Sequence, residues 1–133
     1  MNSRLNRLQR LLLLAGALGS GAQALPALAA GDATHGADVF AQECAECHSP
    51  KEGKNKKGPS LFNVVGRKAG TVADFNYSDA MAQSGITWTP DRIEVYVTNP
   101  KKTVPGGKMK YDGLADPKQR DDLLAWLETA AKR

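Results

Sequence analysis

The heptapeptide "CAECHSP", residues 44–50, gathers two thiols and an imidazole within five positions: Cys44, Cys47 and His48. The chain holds no other cysteine, and its only other histidine is His35. Several chemistries use such groups. A Cys44–Cys47 disulfide would close a very small loop and remove little entropy from the unfolded chain, so it is a weak staple. A redox-active dithiol favours a strand before the first cysteine and a βαβ unit around it. Here a helical pattern precedes the pair. A structural zinc ion needs four ligands. Two Cys and two His are all that the chain offers, and the adjacent Cys47 and His48 do not readily serve one tetrahedral ion.

C-x-x-C-H is also the attachment pattern of c-type haem. The two thiols add to two vinyl groups as thioethers, which are inert to further oxidation. Two intervening residues let one helical turn span the attachment points, and His48 follows as an axial ligand. The expected cofactor is one haem c, bound covalently through Cys44 and Cys47. For the opposite axial position the chain offers His35, Met81 and Met109, with lysines as unusual choices. His35 lies nine residues before Cys44 on the same predicted helix and reads as a surface histidine. Met81 falls in a short polar helix and reads as a filler side chain. Met109 stands in "VPGGKMKYDG", where Pro and Gly favour an extended, close-packed loop. The predicted metal ligands are therefore His48 and Met109. A thioether stabilises Fe(II) and raises the reduction potential. With both axial positions filled, no site is open to a small substrate, so the expectation is electron transfer, with no catalytic residue.

The elements that must position these groups begin after an unusual front end. Met1 to Arg10 carries Arg4, Arg7 and Arg10 and no acid; Leu11 to Leu25 is mostly apolar or small; Ala27-Leu28-Ala29 offers a small-x-small cut site. This is the pattern of a secretory signal, too short for a confident membrane span. The expected organisation is a cleaved signal peptide over 1–29 and one domain over 30–133. Only three charged residues leave with the signal, all arginines, so the mature 104 residues carry 15 basic and 14 acidic side chains. The basic balance of the whole chain thus excludes no class by itself and does not indicate nucleic-acid binding. Export also means that two thiols should not stay free.

Within the mature chain three main helices are predicted. The first spans about Asp32 to Cys44, with Asp32 as N-cap and Ala33, Gly36, Ala37 and Phe40 at helical spacing. The second opens at "TPD", where Thr89 caps and Pro90 leads, and stops at Asn99-Pro100. The third opens at Asp116-Pro117 and carries Leu123, Trp126, Leu127 and Ala130 on one stripe, with Lys132 and Arg133 at its end. A further helical turn is expected around Asp79 to Gln83. No alternating apolar run reaches five residues, so strands are not expected. The segments 49–60 and 101–113 are long, glycine-rich and lysine-rich, yet contain or adjoin Leu61, Phe62, Val104, Met109 and Tyr111. Loops of this length usually serve a site, and a large apolar cofactor would give them a surface to pack on.

The stretches "GADVFAQECAECH", "GPSLFNVVGRKAG", "FNYSDA", "GITW", "YVTNPKK", "VPGGKM" and "DLLAWL" occur in that order. Together they resemble class I cytochrome c, specifically the mitochondrial cytochrome c and bacterial cytochrome c2 group, over essentially the whole mature chain. The resemblance implies an all-α fold: three main helices, short helical turns and long loops wrapped around one covalent haem. It implies that the Pro59 carbonyl accepts from the His48 ring N–H. It implies that Tyr77 and Trp88 bond a haem propionate with Arg67 as counter-charge, and that Tyr96 lies under Met109. It further implies that Gly36 and Phe40 cross Leu123 and Trp126. The chain departs from the group at Met81 and Gly107, where Asn and Thr are common and help hold a buried water, and at Tyr111, where Phe is usual.

The functional expectation is a soluble periplasmic one-electron carrier that is monomeric and not an enzyme. Its partners would be redox proteins: a quinol-oxidising cytochrome complex, cytochrome c oxidase, a photosynthetic reaction centre, a peroxidase or a periplasmic dehydrogenase. Lys51, Lys54, Lys56, Lys57, Lys101, Lys102, Lys108 and Lys110 lie in the two loops expected to flank the haem and would steer acidic partners. Two rivals belong to other classes. A haem enzyme or gas sensor with Met109 off the iron would bind carbon monoxide. A haemless exported dithiol oxidoreductase would be colourless.

Overall fold

The computed structural model describes residues 30–130; the expected signal peptide, Lys132 and Arg133 lie outside them. The chain order is α1 (Ala33–Glu43), α2 (Asp79–Ala82), α3 (Pro90–Thr98), α4 (Pro100–Thr103) and α5 (Pro117–Ala130). Among the described residues the only strand-like pairing is an isolated antiparallel bridge between Lys68 and Thr87. The all-α architecture follows.

Local chemistry explains how the helices start. The Asp32 carboxylate accepts from Thr34 N–H at 2.8 Å and His35 N–H at 3.2 Å, which satisfies donors that a helix start leaves unpaired. Ser78 Oγ caps α2, and Thr89 Oγ1 caps α3 ahead of Pro90. Asp116 Oδ1 accepts from Lys118 N–H and Gln119 N–H ahead of α5. Asn99-Pro100 does more than stop α3. Asn99 turns out of the helix at φ −156°, its Oδ1 accepts from Lys102 N–H at 3.0 Å, and Pro100 takes the first position of α4. The dipeptide that ends one helix therefore starts the next.

The core forms where α1 crosses α5. A Cβ on Gly36 would overlap the Asp122 carbonyl oxygen and sit 2.8 Å from Trp126 Cβ, so only glycine lets the two backbones approach this closely. One turn further along, Phe40 stacks on Trp126 with ring centroids 4.3 Å apart. Val39, Phe40, Leu123 and Leu127 are all buried in the crossing. Burial of side chains this size stabilises by about 1.5–3 kcal/mol each. Ile93 and Tyr96 bring α3 onto the same core, with Val64, Trp88, Val104 and Leu114 contributed by loops.

Candidate functional site

The Cys44–His48 segment is the turn that ends α1. Cys44 N–H still donates to Phe40 O, while Cys47 N–H and His48 N–H both donate back to Cys44 O, at 3.1 and 2.9 Å. One tight turn thereby places both thiols and the imidazole together at the helix terminus. The loop that follows is tied back to it. Gly58 N–H donates to Cys47 O at 2.8 Å, and Leu61 N–H donates to Ser49 O at 2.8 Å. Lys56 Nζ bonds Ala45 O, and Lys57 pairs with Glu46.

His48 is oriented by its backbone partner. Its Nδ1 lies 2.8 Å from the Pro59 carbonyl oxygen, so Nδ1–H donates and Nε2 keeps its lone pair. Burial holds the ring below the usual imidazole range, which favours the neutral, ligating form. Gly58 packs flat on this ring: a Cβ there would overlap Cε1 and lie 2.8 Å from Nδ1.

The Cys44 and Cys47 side chains are half-buried and are not joined to each other. Burial, with the nearby Glu43 charge, pushes the Cys44 thiol up to about 12. A thioether carries no charge and suits these half-buried surroundings. Among the described residues, no group of three or more His, Cys, Asp or Glu side chains converges into a bare-metal site. Leu61, Val65, Met81, Ile86, Met109 and Tyr111 pack on the core yet stay only partly buried. Donor set, neutral imidazole and under-covered apolar loops together fit a covalently attached, apolar, iron-bearing ring.

The other predicted residues occupy definite places. Arg67 is half-buried, and its guanidinium donates to Phe62 O at 2.6 Å and Ser60 O at 2.8 Å. Two of its donors thus staple the 60–67 loop. Trp88 is buried; its backbone N–H donates to Arg67 O, and its ring lies 5.0 Å from that of Tyr96 on α3. Tyr77 OH accepts from Val72 N–H at 3.3 Å, with its ring edge-on to Phe75. Met109 is half-buried against the core.

Three features escape the sequence reading. Ser60 is buried; its Oγ donates to Lys51 O and accepts from Phe62 N–H, while Asn55 Oδ1 accepts from Ser60 N–H. The habit of Ser and Asn side chains of bonding nearby backbone is the signal for this arrangement. His35 is not an unattached surface histidine: its Nδ1 lies 2.6 Å from the fully buried carboxylate of Asp122. Tyr111 OH donates to Glu43 Oε2 at 2.8 Å.

A family model described as Cytochrome c matches residues 33–131. The chain is 48% identical to "Cytochrome c" of Cochliobolus lunatus over 103 residues, 77% of this chain and 95% of that one. It is 48% identical to "Cytochrome c2" of Rhodopila globiformis over 99 residues, 74% of this chain and 93% of that one. The solved structure of cytochrome cH from Methylobacterium extorquens matches with a TM-score of 0.69 at 44% identity, covering 74% of this chain and 99% of that one. With its two half-buried thiols beside a neutral imidazole, the chain belongs to the cytochrome c family: an electron-transfer protein carrying haem c on Cys44 and Cys47, not an enzyme.

Proposed function

We propose that this protein is a soluble, monomeric one-electron carrier of the periplasm, with His48 and Met109 as the residues that would hold its haem iron. The observation that carries this reading is the His48 ring, anchored through Nδ1 to Pro59 O on the same turn as both thiols. When bound, the haem supplies the Fe(III)/Fe(II) couple. The chain's own residues do the rest. Pro59 fixes the tautomer and orientation of His48 and raises its basicity, as a carbonyl behind a ligating imidazole does. Met109 would present the opposing thioether from the 104–113 loop. Trp88, Tyr77 and Arg67 would meet the propionates, and Tyr96, buried and holding its phenol above the usual range through that burial, would stand beneath Met109. Val64, Val104 and Leu114 are buried and would exclude water.

Residues 1–29 support export, with cleavage after Ala29. The partners we propose are redox proteins: a quinol-oxidising complex, a terminal oxidase, a reaction centre, a peroxidase or a periplasmic dehydrogenase. Not all eight loop lysines bear equally on docking. Lys57 is paired with Glu46 and Lys101 with Asp112. Lys51, Lys54, Lys56, Lys102, Lys108 and Lys110 have no acidic partner among the described residues and are exposed. These six would meet an acidic partner face in a small, short-lived interface. Association with such a partner should slow as salt rises; a rate that is flat or rising with salt would contradict the lysine face.

The test of the site is an optical spectrum of oxidised and reduced protein purified from the periplasm. The expected result is a six-coordinate low-spin haem with a weak near-infrared sulfur-to-iron band, retained by the chain after acid–acetone extraction. Carbon monoxide binding to the native ferrous protein would instead favour an open-site haem enzyme or sensor.

A further inference from the structure

The segment that carries Met109 is thinly held by its own backbone. Gly107 N–H donates to Val104 O at 3.0 Å and Leu114 N–H donates to Val97 O at 2.8 Å. Between them, residues 108–113 make no backbone–backbone hydrogen bond among the described residues. Side chains must therefore fix this stretch. Lys101–Asp112 is an exposed ion pair, and exposed pairs contribute little. Lys108 Nζ reaches the Asn76 and Tyr77 carbonyls only at 3.5 Å. Tyr111 OH to Glu43 Oε2, at 2.8 Å, is also solvent-exposed, but its donor sits on a ring that packs against the core. It links residues 68 apart in sequence and has an ionisable carboxylate as acceptor, which makes it a strong class of hydrogen bond. It also joins the two sides of the site: Glu43 is the last residue of α1, next to Cys44, and Tyr111 is two residues from Met109. Glu43 has no cationic partner among the described residues, so no ion pair draws its carboxylate away from Tyr111.

We propose that the Tyr111–Glu43 hydrogen bond is a latch that positions the Met109 segment against the attachment helix and sets how easily an external ligand displaces the Met109 thioether. This rests on the reading of Met109 as an axial ligand. Displacement requires the segment to swing away from the core. With little backbone bonding to break, the latch is a principal polar restraint that this movement must undo. Tyr111 and Glu43 are positioning residues: neither need touch the iron.

The experiment titrates ferric holoprotein with imidazole and follows the near-infrared sulfur-to-iron band. Tyr111→Phe keeps the ring and removes the hydroxyl; Glu43→Ala removes the acceptor. Each should raise the apparent imidazole affinity by roughly two- to tenfold, the value of one ordinary intramolecular hydrogen bond. The double variant should gain no more than the larger single effect, because both remove the same bond. Asp112→Asn, which cuts the exposed ion pair of the same segment, should leave the affinity unchanged and so separates latching from general loosening. Each variant should show the full band before imidazole is added, which confirms a folded, Met-ligated start. Unchanged affinity in Tyr111→Phe, or additive effects in the double variant, would overturn the latch while leaving Met109 ligation intact. Absence of the band in the unmodified protein would overturn the ligation reading, and the latch with it.

Discussion

At the α1–α5 crossing the backbones themselves meet, through Gly36 and Gly31, each of which faces an α5 carbonyl that a Cβ would overlap. Along residues 108–113 the arrangement is the reverse: a stretch of chain held by side chains, with Met109 and Tyr111 only partly buried. The first region has no room for adjustment, because close-packed backbones do not yield. The second can move once a few side chains let go. The proposed carrier would use both: a rigid terminus that fixes the attached turn, and a Met109 segment whose hold can be tuned without disturbing the core.

Gly36 is the position where substitution should cost most. Gly36→Val would drive a branched side chain into the Asp122 carbonyl, and the expected cost is about 3 kcal/mol, the upper end of overpacking effects. Thermal unfolding should show a Tm lower by roughly 10–20 °C for a domain of this size. A change of only a degree or two would mean that the crossing is more pliant than its geometry. Gly58→Ala probes the site side of the same contrast. There the obstacle is the His48 ring, which can tilt where a backbone carbonyl cannot, so the expected loss is smaller, about 1–2 kcal/mol. It should be accompanied by a shifted haem spectrum, a change that Gly36→Val should not produce in its folded fraction.

The crossing also buries a charge. Asp122 is fully buried, yet Lys118 Nζ, the Asp32 N–H and His35 Nδ1 surround its carboxylate at 2.5–2.6 Å. Asp121 and Asp32 are the other acids near this cluster. The Lys118 bond first, then His35 and the Asp32 amide, hold Asp122 well below the usual carboxylate range. A depressed carboxylate contributes stability that is complete above its unfolded pKa and disappears as pH falls through the folded value. Denaturant unfolding should therefore show stability declining between about pH 5 and pH 2, with a shallower decline in Asp122→Asn. Identical slopes in the two proteins would remove Asp122 from the account.

These same regions show what a sequence can and cannot disclose. Asp32, Thr89-Pro90 and Asp116-Pro117 mark helix starts because capping acts within three residues, and all three hold in the structure. The close approach at Gly36 and the Phe40–Trp126 contact are legible through the resemblance to a known family. Asn99-Pro100 is legible only as a stop; its second use, as cap and first residue of α4, depends on the backbone turn at Asn99. The His35–Asp122 and Tyr111–Glu43 bonds join residues 87 and 68 apart, and no local pattern announces such pairs. The resemblance gives Arg67 a counter-charge role, while its visible bonds are to loop carbonyls; a guanidinium has enough donors for both.

A haem joined to Cys44 and Cys47 would complete a fold whose loops are otherwise under-covered. Intact mass of the purified native protein tests it directly, beside a Cys44→Ser/Cys47→Ser double variant. The prediction is a native chain heavier than its polypeptide by one haem that survives denaturation, and a double variant without that increment. A native chain at the mass of bare polypeptide would contradict it.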